Sequence, residues 1–223
     1  MFNELLFFLH IIVSSAGTVL ALWHSYGALV GVLSLQLILA NLFASKQVVL
    51  FGIDATSSEV FFVSSMYGIC LLRDYYGSAA ARRAVWLTFG AFFLFVLLSS
   101  FHMIYLGVDR SLDTAFDAVC GLGFRLLFAS MTAYLVSERT HLFLLGFFER
   151  WLGSLSQIIA ILGGQFVDTV TFACLGLSGV VHDLPSVILF GFLVKIIATA
   201  ALAPLLPLTH RYLSSRSSEK GFQ

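Results

Sequence analysis

Residues 155–181 read LSQIIAILGGQFVDTVTFACLGLSGVV, and this stretch decides the class of protein to which the chain belongs. It exceeds the ~20 apolar residues that an α-helix needs to cross a bilayer. Asp168 is its one carboxylate. An ionised acid at the bilayer centre costs about 2.5–3.5 kcal/mol on insertion scales, so it normally faces a partner or a ligand. The stretch therefore predicts a membrane helix that carries a functional acid.

The composition of the whole chain agrees with a polytopic membrane protein. Of the 223 residues, 59% are hydrophobic and only 11% are charged, whereas soluble domains contain about 25% charged residues. The 12 basic and 12 acidic residues cancel, so no excess of positive charge indicates nucleic-acid binding. Cys70, Cys120 and Cys174 lie in apolar stretches, which favours packing over a disulfide framework.

Seven stretches are apolar enough to be predicted as spans, although the third is short. They are 5–23, 26–44, 58–72, 84–106, 118–136, 155–181 and 184–206. The connections are brief, so we expect an all-α integral membrane protein with a single domain over 1–223. Residues 142–150 are expected to continue the fifth helix at the membrane interface.

The basic residues predict the orientation of the chain in the inner membrane. With seven spans, Arg73, Arg82, Arg83, Arg139 and Arg150 fall on the same side as the C-terminal tail. Because loops rich in Lys and Arg stay in the cytoplasm, the N-terminus is expected outside. The tail, residues 213–223, is expected in the cytoplasm.

Four Asp, Glu, Lys or Arg residues lie within the predicted helices: Asp168, Arg125, Lys195 and, nearer an end, Glu59. Lipid cannot solvate them, so they should face each other or a wet cavity. Two interpretations stay open: a salt-bridge network that fixes the helices, or a site for a ligand or a proton. Gly163-Gly164, one turn before Asp168, permits either a kink or a close approach of another helix.

The sequence contains no motif that would make an enzyme the first expectation. H-E-x-x-H, G-x-S-x-G and the P-loop are all absent. The histidines do not cluster at metal-ligand spacing, and neither a metal nor a cofactor is expected. The classes in competition are a transporter, then an intramembrane enzyme, for which no converging nucleophile or metal set is found, and a structural or assembly membrane protein.

Several motifs in order resemble those of one transporter family. Asn41-Leu42-Phe43-Ala44-Ser45-Lys46 resembles its Asn-x-x-Ala-x-Lys signature, and Asp74-Tyr75-Tyr76-Gly77 with Ala81-Arg82-Arg83 resembles its acidic turn. Gly164-Gln165-Phe166-Val167-Asp168-Thr169 resembles its Gln-x-x-Asp-Thr motif, while Arg125 and Lys195 match single cations. From about residue 26 to 212 the chain is similar to the queuosine precursor transporters, a vitamin-uptake-like family.

The resemblance implies both an architecture and a substrate. The architecture is a six-helix core over 25–212, similar to the substrate-binding subunits of energy-coupling-factor importers, with 1–24 as an extra N-terminal helix. The implied substrate is a 7-deazaguanine, such as queuine, preQ0 or preQ1, salvaged for tRNA modification. Whether the protein works alone, as a homo-oligomer, or as a binding subunit with an ATPase partner stays open.

The chain also departs from the family pattern at one cluster of positions. Many members carry an acid seven residues before the turn glycine, where this chain has Cys70. Glu138 and His141 replace the Gln and Asp that often end the fifth helix. These differences would fit a different preference among the 7-deazaguanines.

The chemistry of a guanine-like base suggests a role for each candidate residue. Its N1–H and amine are adjacent donors that one carboxylate accepts, and its rings can stack on aromatic side chains for about 1–3 kcal/mol. The predicted contacts with the donor edge are Asp168 or Glu59. Asn41 and Gln165 are predicted to meet the carbonyl and imidazole-like edge through their side-chain amides. Tyr67 and Phe172 are predicted to stack on the base, and Arg125 and Lys195 to hold the acids ionised.

Overall fold

The computed structural model describes residues 2–56, 58–105, 108, 113–114, 116, 124–153, 155–179 and 183–205. These residues are predominantly helical. The α-helices are α1 (Phe2–His24), α2 (Tyr26–Leu42), α3 (Glu59–Tyr76), α4 (Ser78–His102), α5 (Phe124–Leu152), α6 (Leu155–Phe172) and α7 (Leu184–Leu202). A 3₁₀ turn (Phe43–Ser45), strands β1 (Gln47–Leu50) and β2 (Ile53–Thr56), and a π-turn (Ala173–Leu177) complete the described elements.

Each of these α-helices overlaps one of the predicted spans. Within the described residues, four helical segments are long and apolar enough to cross a membrane, namely Phe2–His24, Ser78–His102, Leu155–Leu177 and Leu184–Leu202, and α2 is a shorter apolar helix. The prediction of a helical membrane protein is therefore confirmed, whereas the number of crossings stays a prediction. Residues 118–123 of the predicted fifth span and the predicted tail, 213–223, lie outside the described residues.

Local sequence explains where several helices begin and end. The Ser25 hydroxyl accepts from the Ala28 N–H and caps α2. Gly77 ends α3 with φ 85°, a conformation that glycine adopts without steric cost. Asp183 caps α7 by accepting from the hydroxyl and the N–H of Ser186, and these bonds lower the pKa of its carboxyl.

The β-hairpin is the main departure from the predicted fold. Its strands pair antiparallel, and Phe51 and Gly52 turn the chain with φ of 55° and 80°. Positive φ at both central positions is typical of a tight hairpin turn. The hairpin is tied to the start of α1, because Asn3 donates to the Val49 carbonyl and the Phe51 N–H donates to Glu4. The end of the bundle that contains this contact is called the hairpin end below.

Helix α3 is the central helix of the described bundle. It packs against α1, α2, α4, α6 and α7, and apart from Phe62 every residue from Val60 to Leu72 is buried. A helix that protein surrounds can carry polar side chains that lipid would reject. Accordingly α3 holds Glu59 at the hairpin end and Cys70 toward its other end, called the Gly77 end below.

Candidate functional site

An ion cluster joins three helices that are distant in sequence. The Lys195 Nζ on α7 donates to Asp168 Oδ2 on α6 at 2.7 Å and lies 3.3 Å from Glu59 Oε2 on α3. Lys195 is only 3% exposed and Asp168 6%. Two carboxylates and one ammonium give a formal charge of −1 when all three are ionised. We call Glu59, Asp168 and Lys195 the ion triad.

Small side chains and one aromatic ring surround the triad. Gly191 on α7 lies close to α6, because a Cβ there would be 3.7 Å from Thr169 Cγ2. Such small residues let membrane helices pack closely. The Lys195 Nζ lies 5.5 Å from the centroid of the Phe62 ring, within the range of a cation–π interaction. Phe62 was not among the predicted residues, although it follows Glu59 by three positions on the same helical face.

Gln165 lies one turn from Asp168 and has poor partners for its amide. The side chain is fully buried, and its Nε2 donates to Met66 Sδ at 3.4 Å. Its Oε1 accepts no hydrogen bond from any residue that the structure describes. A thioether is a weak acceptor, and an unsatisfied buried polar group costs about 1–3 kcal/mol. The arrangement therefore suits a ligand with its own donor and acceptor.

The pair Gly163-Gly164 allows helix α6 to pack closely against its neighbours. A Cβ at Gly164 would lie 2.9 Å from His141 Cβ and 2.9 Å from Met66 Cε, so only glycine lets α6 come this near to α5 and α3. Helix α6 stays α-helical through this pair to Phe172, so the glycines do not interrupt it. The irregular backbone comes later, in the π-turn Ala173–Leu177.

In the part of the chain that the structure describes, Arg125 bonds backbone carbonyls and not an acid. Its Nε donates to the Leu175 carbonyl at 2.8 Å, and a second guanidinium nitrogen donates to the Ser178 carbonyl at 2.5 Å. The π-turn changes the regular α-helical bonding in this segment, and an exposed guanidinium can bond several carbonyls at once. Among the described residues Arg125 binds the end of α6, and Lys195 is the cation at Asp168, so the expected pairing of Arg125 with Asp168 is corrected.

The remaining predicted contacts lie at separate places in the bundle. Asn41 is buried, and its Nδ2 donates to the Leu37 carbonyl of its own helix at 2.9 Å. Tyr67 is fully buried in α3. Phe172 is partly buried at the end of α6, next to Gly176. Their predicted contacts with a substrate stay predictions, and Phe62 joins them as the aromatic ring nearest the Lys195 ammonium among the described residues.

A second buried polar cluster lies toward the Gly77 end. Cys70 Sγ is 3.3 Å from His141 Nε2, and His141 Nδ1 is 3.1 Å from Glu138 Oε2. All three residues are at most 1% exposed. We call Cys70, His141 and Glu138 the histidine cluster. These residues had been singled out in the sequence only as departures from a family pattern, and their mutual contact could not be read from that pattern.

The two clusters lie along one line through the bundle. On α3, the residues Glu59, Phe62, Met66, Cys70 and Arg73 are spaced by three or four positions, so they share one face. Arg73 continues the line at the Gly77 end, where it pairs with Glu149 and donates to the Leu142 carbonyl. A rise of 1.5 Å per residue separates Glu59 from Cys70 by about 16 Å along α3.

The fold and these buried charges define a multi-pass membrane protein with a polar interior. Residues 56–209 match the family model described as "Putative vitamin uptake transporter", and the chain belongs to this family. The predicted family resemblance is thereby confirmed. It is a family of transporters and not a family of enzymes, which supports a function in membrane transport.

One curated relative carries a more specific description. It is the "Probable queuosine precursor transporter" of Bacillus subtilis (strain 168), which is 26% identical over 171 residues. The aligned region covers 71% of this chain and 75% of the relative. No solved structure matches the chain.

Proposed function

We propose that this protein imports a queuosine precursor, a 7-deazaguanine such as queuine, preQ0 or preQ1, across the inner membrane. It would do so through seven spans, with its N-terminus outside and its C-terminus in the cytoplasm. The observation that carries the proposal is the ion triad beside the Gln165 amide. The description of the Bacillus subtilis relative supports the same substrate class.

The charge of the triad suits the donor edge of the base. With one ammonium between two carboxylates, the cluster retains one negative charge that Lys195 does not balance. A guanine-like edge presents two N–H donors, and a carboxylate can accept both. A buried carboxylate rejects bases that lack these donors, because its lone pairs would be left unpaired. In this role Asp168 or Glu59 binds the base, and Lys195 keeps the acids ionised and oriented.

The neighbouring side chains complete the recognition of a planar base. The Gln165 amide can accept from the ligand through Oε1 and donate to its carbonyl through Nε2, whose partner among the described residues is a thioether. Phe62 lies close enough to Lys195 to stack on a base held at the triad. Tyr67, Phe172 and Asn41 stay in the proposed site as residues that the base could reach during transport.

A purely structural salt bridge is the competing role for the triad. The 2.7 Å bond between Lys195 and Asp168 favours it, because this pair already satisfies part of the charge of each partner. It does not account for the poorly bonded amide of Gln165. A transport site does, because a bound base would bond this amide.

Uptake by living cells tests the proposal. Cells that can neither make nor salvage queuosine precursors would express the protein and receive preQ0, preQ1 or queuine in turn, together with the enzymes that insert each base. Queuosine in their tRNA is then measured by mass spectrometry. We expect at least one base to restore it, and Asp168→Asn to lower uptake about tenfold or more, as a loss of about 1.4 kcal/mol would.

A matched control separates recognition from folding. Asp183→Asn makes the same chemical change at an exposed helix cap, where asparagine also caps well, so uptake should stay normal. Both variants must reach the membrane in wild-type amounts. If no base restores queuosine, transport of these precursors is refuted. If Asp168→Asn takes up substrate normally, the acid is structural.

A further inference from the structure

We propose that the histidine cluster binds a proton whose movement down its gradient drives import. This inference rests on the proposed transport function and adds its energy source. It starts from the position of His141, whose two ring nitrogens each face a titratable side chain in a fully buried place. Chains of buried acids and histidines are typical of proton pathways in membrane transporters.

The cluster can hold its hydrogen bonds with the proton and without it. In the neutral imidazole, Nδ1–H donates to the Glu138 carboxylate and Nε2 accepts from the Cys70 thiol. When the ring gains a proton, both nitrogens donate, and the Cys70 sulfur becomes the acceptor. Both ring nitrogens keep a partner in either state, and the one bond that changes is the weak bond to the Cys70 thiol, so the proton can come and go without breaking the packing.

Binding of a proton changes the net charge of the histidine cluster. With Glu138 ionised and His141 neutral, the cluster carries one buried negative charge, and protonation of the ring cancels it. Because burial of an unbalanced charge is costly, the proton stabilises the packing of the bundle around His141. The reaction transfers one proton from water to an imidazole nitrogen and later returns it to water on the other side. No other bond is made or broken.

The groups around His141 are consistent with this role. Helix α3 contributes Cys70, Arg73 and Asp74, of which Arg73 pairs with Glu149 and Asp74 accepts from Gln157. On its own helix, Tyr134 lies one turn before Glu138. Helix α4 presents Thr88 toward Tyr134. Helix α6 contributes Gly164 and Gln165, with Asp168 one turn beyond. Among the described residues, Arg73 is paired with Glu149, and His141 is the basic group in contact with Glu138.

The cluster is close enough to the proposed substrate site to be coupled to it. His141 Cβ is the atom that a side chain at Gly164 would strike, and Gln165 is the next residue. Met66 contacts both positions from α3. A movement of α6 that opens the ion triad must therefore also shift the packing around His141. This contact supplies the physical link between proton binding and substrate release.

The geometry also distinguishes the cluster from a metal site. The imidazole lies between the thiol and the carboxylate, so the three groups form a line and do not converge on one point. Within the part of the chain that the structure describes, no group of three His, Cys, Asp or Glu side chains is arranged to hold a metal ion. A line of donors and acceptors is the arrangement that proton transfer requires.

Reconstituted vesicles test the inference with the full-length protein. Radiolabelled preQ1 and queuine are the probes, and two processes are measured: exchange of substrate without any gradient, and net uptake with the outside more acidic. We expect the gradient to raise accumulation about tenfold per pH unit for one proton per substrate, and a protonophore to abolish this gain. His141→Gln and Glu138→Gln should retain exchange and lose the response to the gradient.

Two further variants sharpen the result. Cys70→Ser keeps a donor and acceptor and should preserve the response, whereas His102→Gln, at the exposed end of α4, should not affect it. The inference is overturned if wild-type exchange occurs and the pH gradient leaves accumulation unchanged, or if both His141→Gln and Glu138→Gln still respond. If the wild type shows neither exchange nor uptake of either probe, the transport proposal itself fails, and the inference with it.

Discussion

The ion triad and the histidine cluster bury similar numbers of titratable groups and differ in how their charge is balanced. The triad joins three helices through a permanent cation, so its partners are fixed by strong opposite charges. The histidine cluster joins two helices through a ring that is charged only when it binds a proton. A permanent charge suits recognition of a ligand, whereas a charge that depends on proton binding suits a step in which a proton is bound and released. We therefore propose substrate binding for the triad and proton binding for the histidine cluster.

The largest expected effect comes from removing the fixed cation. Lys195→Met removes the ammonium that bonds the buried Asp168 carboxylate, so the free energy of unfolding should fall by about 3–5 kcal/mol. Urea unfolding of the protein in detergent micelles measures it. The triple variant Lys195→Met, Asp168→Asn, Glu59→Gln removes all three charges and should recover most of the loss. An unchanged stability of Lys195→Met alone would contradict the assigned charge balance.

The next effect tests the contact that links the two regions. Gly164→Ala places a methyl group 2.9 Å from His141 Cβ and Met66 Cε, so we expect a loss of about 1–3 kcal/mol from overpacking. Gly90→Ala is the matched control, because nothing lies within 4 Å of that position and alanine favours helices. Thermal unfolding of both variants gives the comparison. Equal melting temperatures would mean that α6 is not held against α5 as described.

The smallest expected effect concerns the pair at the Gly77 end of the line. Glu149→Gln removes the charge that pairs with Arg73, and Glu149 is half exposed at 54%. Solvent screens such pairs, so the free energy of unfolding should change by only about 0–1 kcal/mol. Net uptake should stay normal. A loss of uptake at normal protein level would mean that the pair of Arg73 and Glu149 also takes part in transport.

The sequence predicts the triad better than it predicts the histidine cluster. Asp168 and Lys195 stand out because charge is rare in apolar helices, and helical spacing correctly relates Gln165 to Asp168. The choice of Lys195 over Arg125 as the partner depends on how α5, α6 and α7 are placed against each other, which spacing within one helix cannot reveal. Arg125 instead bonds carbonyls at the π-turn, which no feature of the sequence predicted.

The histidine cluster and the hairpin were missed for physical reasons that differ. Cys70 is uncharged and packs well in a core, so nothing in the sequence relates it to His141 across 71 positions. The hairpin does carry a local signal, since Phe51-Gly52 follows the β-prone run Val48-Val49-Leu50. Its strands have only four residues each, and short apolar runs beside a predicted span are easily taken as a connection.

Direct binding by the purified protein tests the central claim most directly. Isothermal titration of the detergent-solubilised protein with preQ1, preQ0 and queuine would be compared with adenine, which lacks the paired N–H donors of a guanine-like edge. The account predicts saturable binding of at least one 7-deazaguanine, none of adenine, and an affinity at least about tenfold weaker in Asp168→Asn. Equal affinity of the wild type and of Asp168→Asn for every base would contradict it.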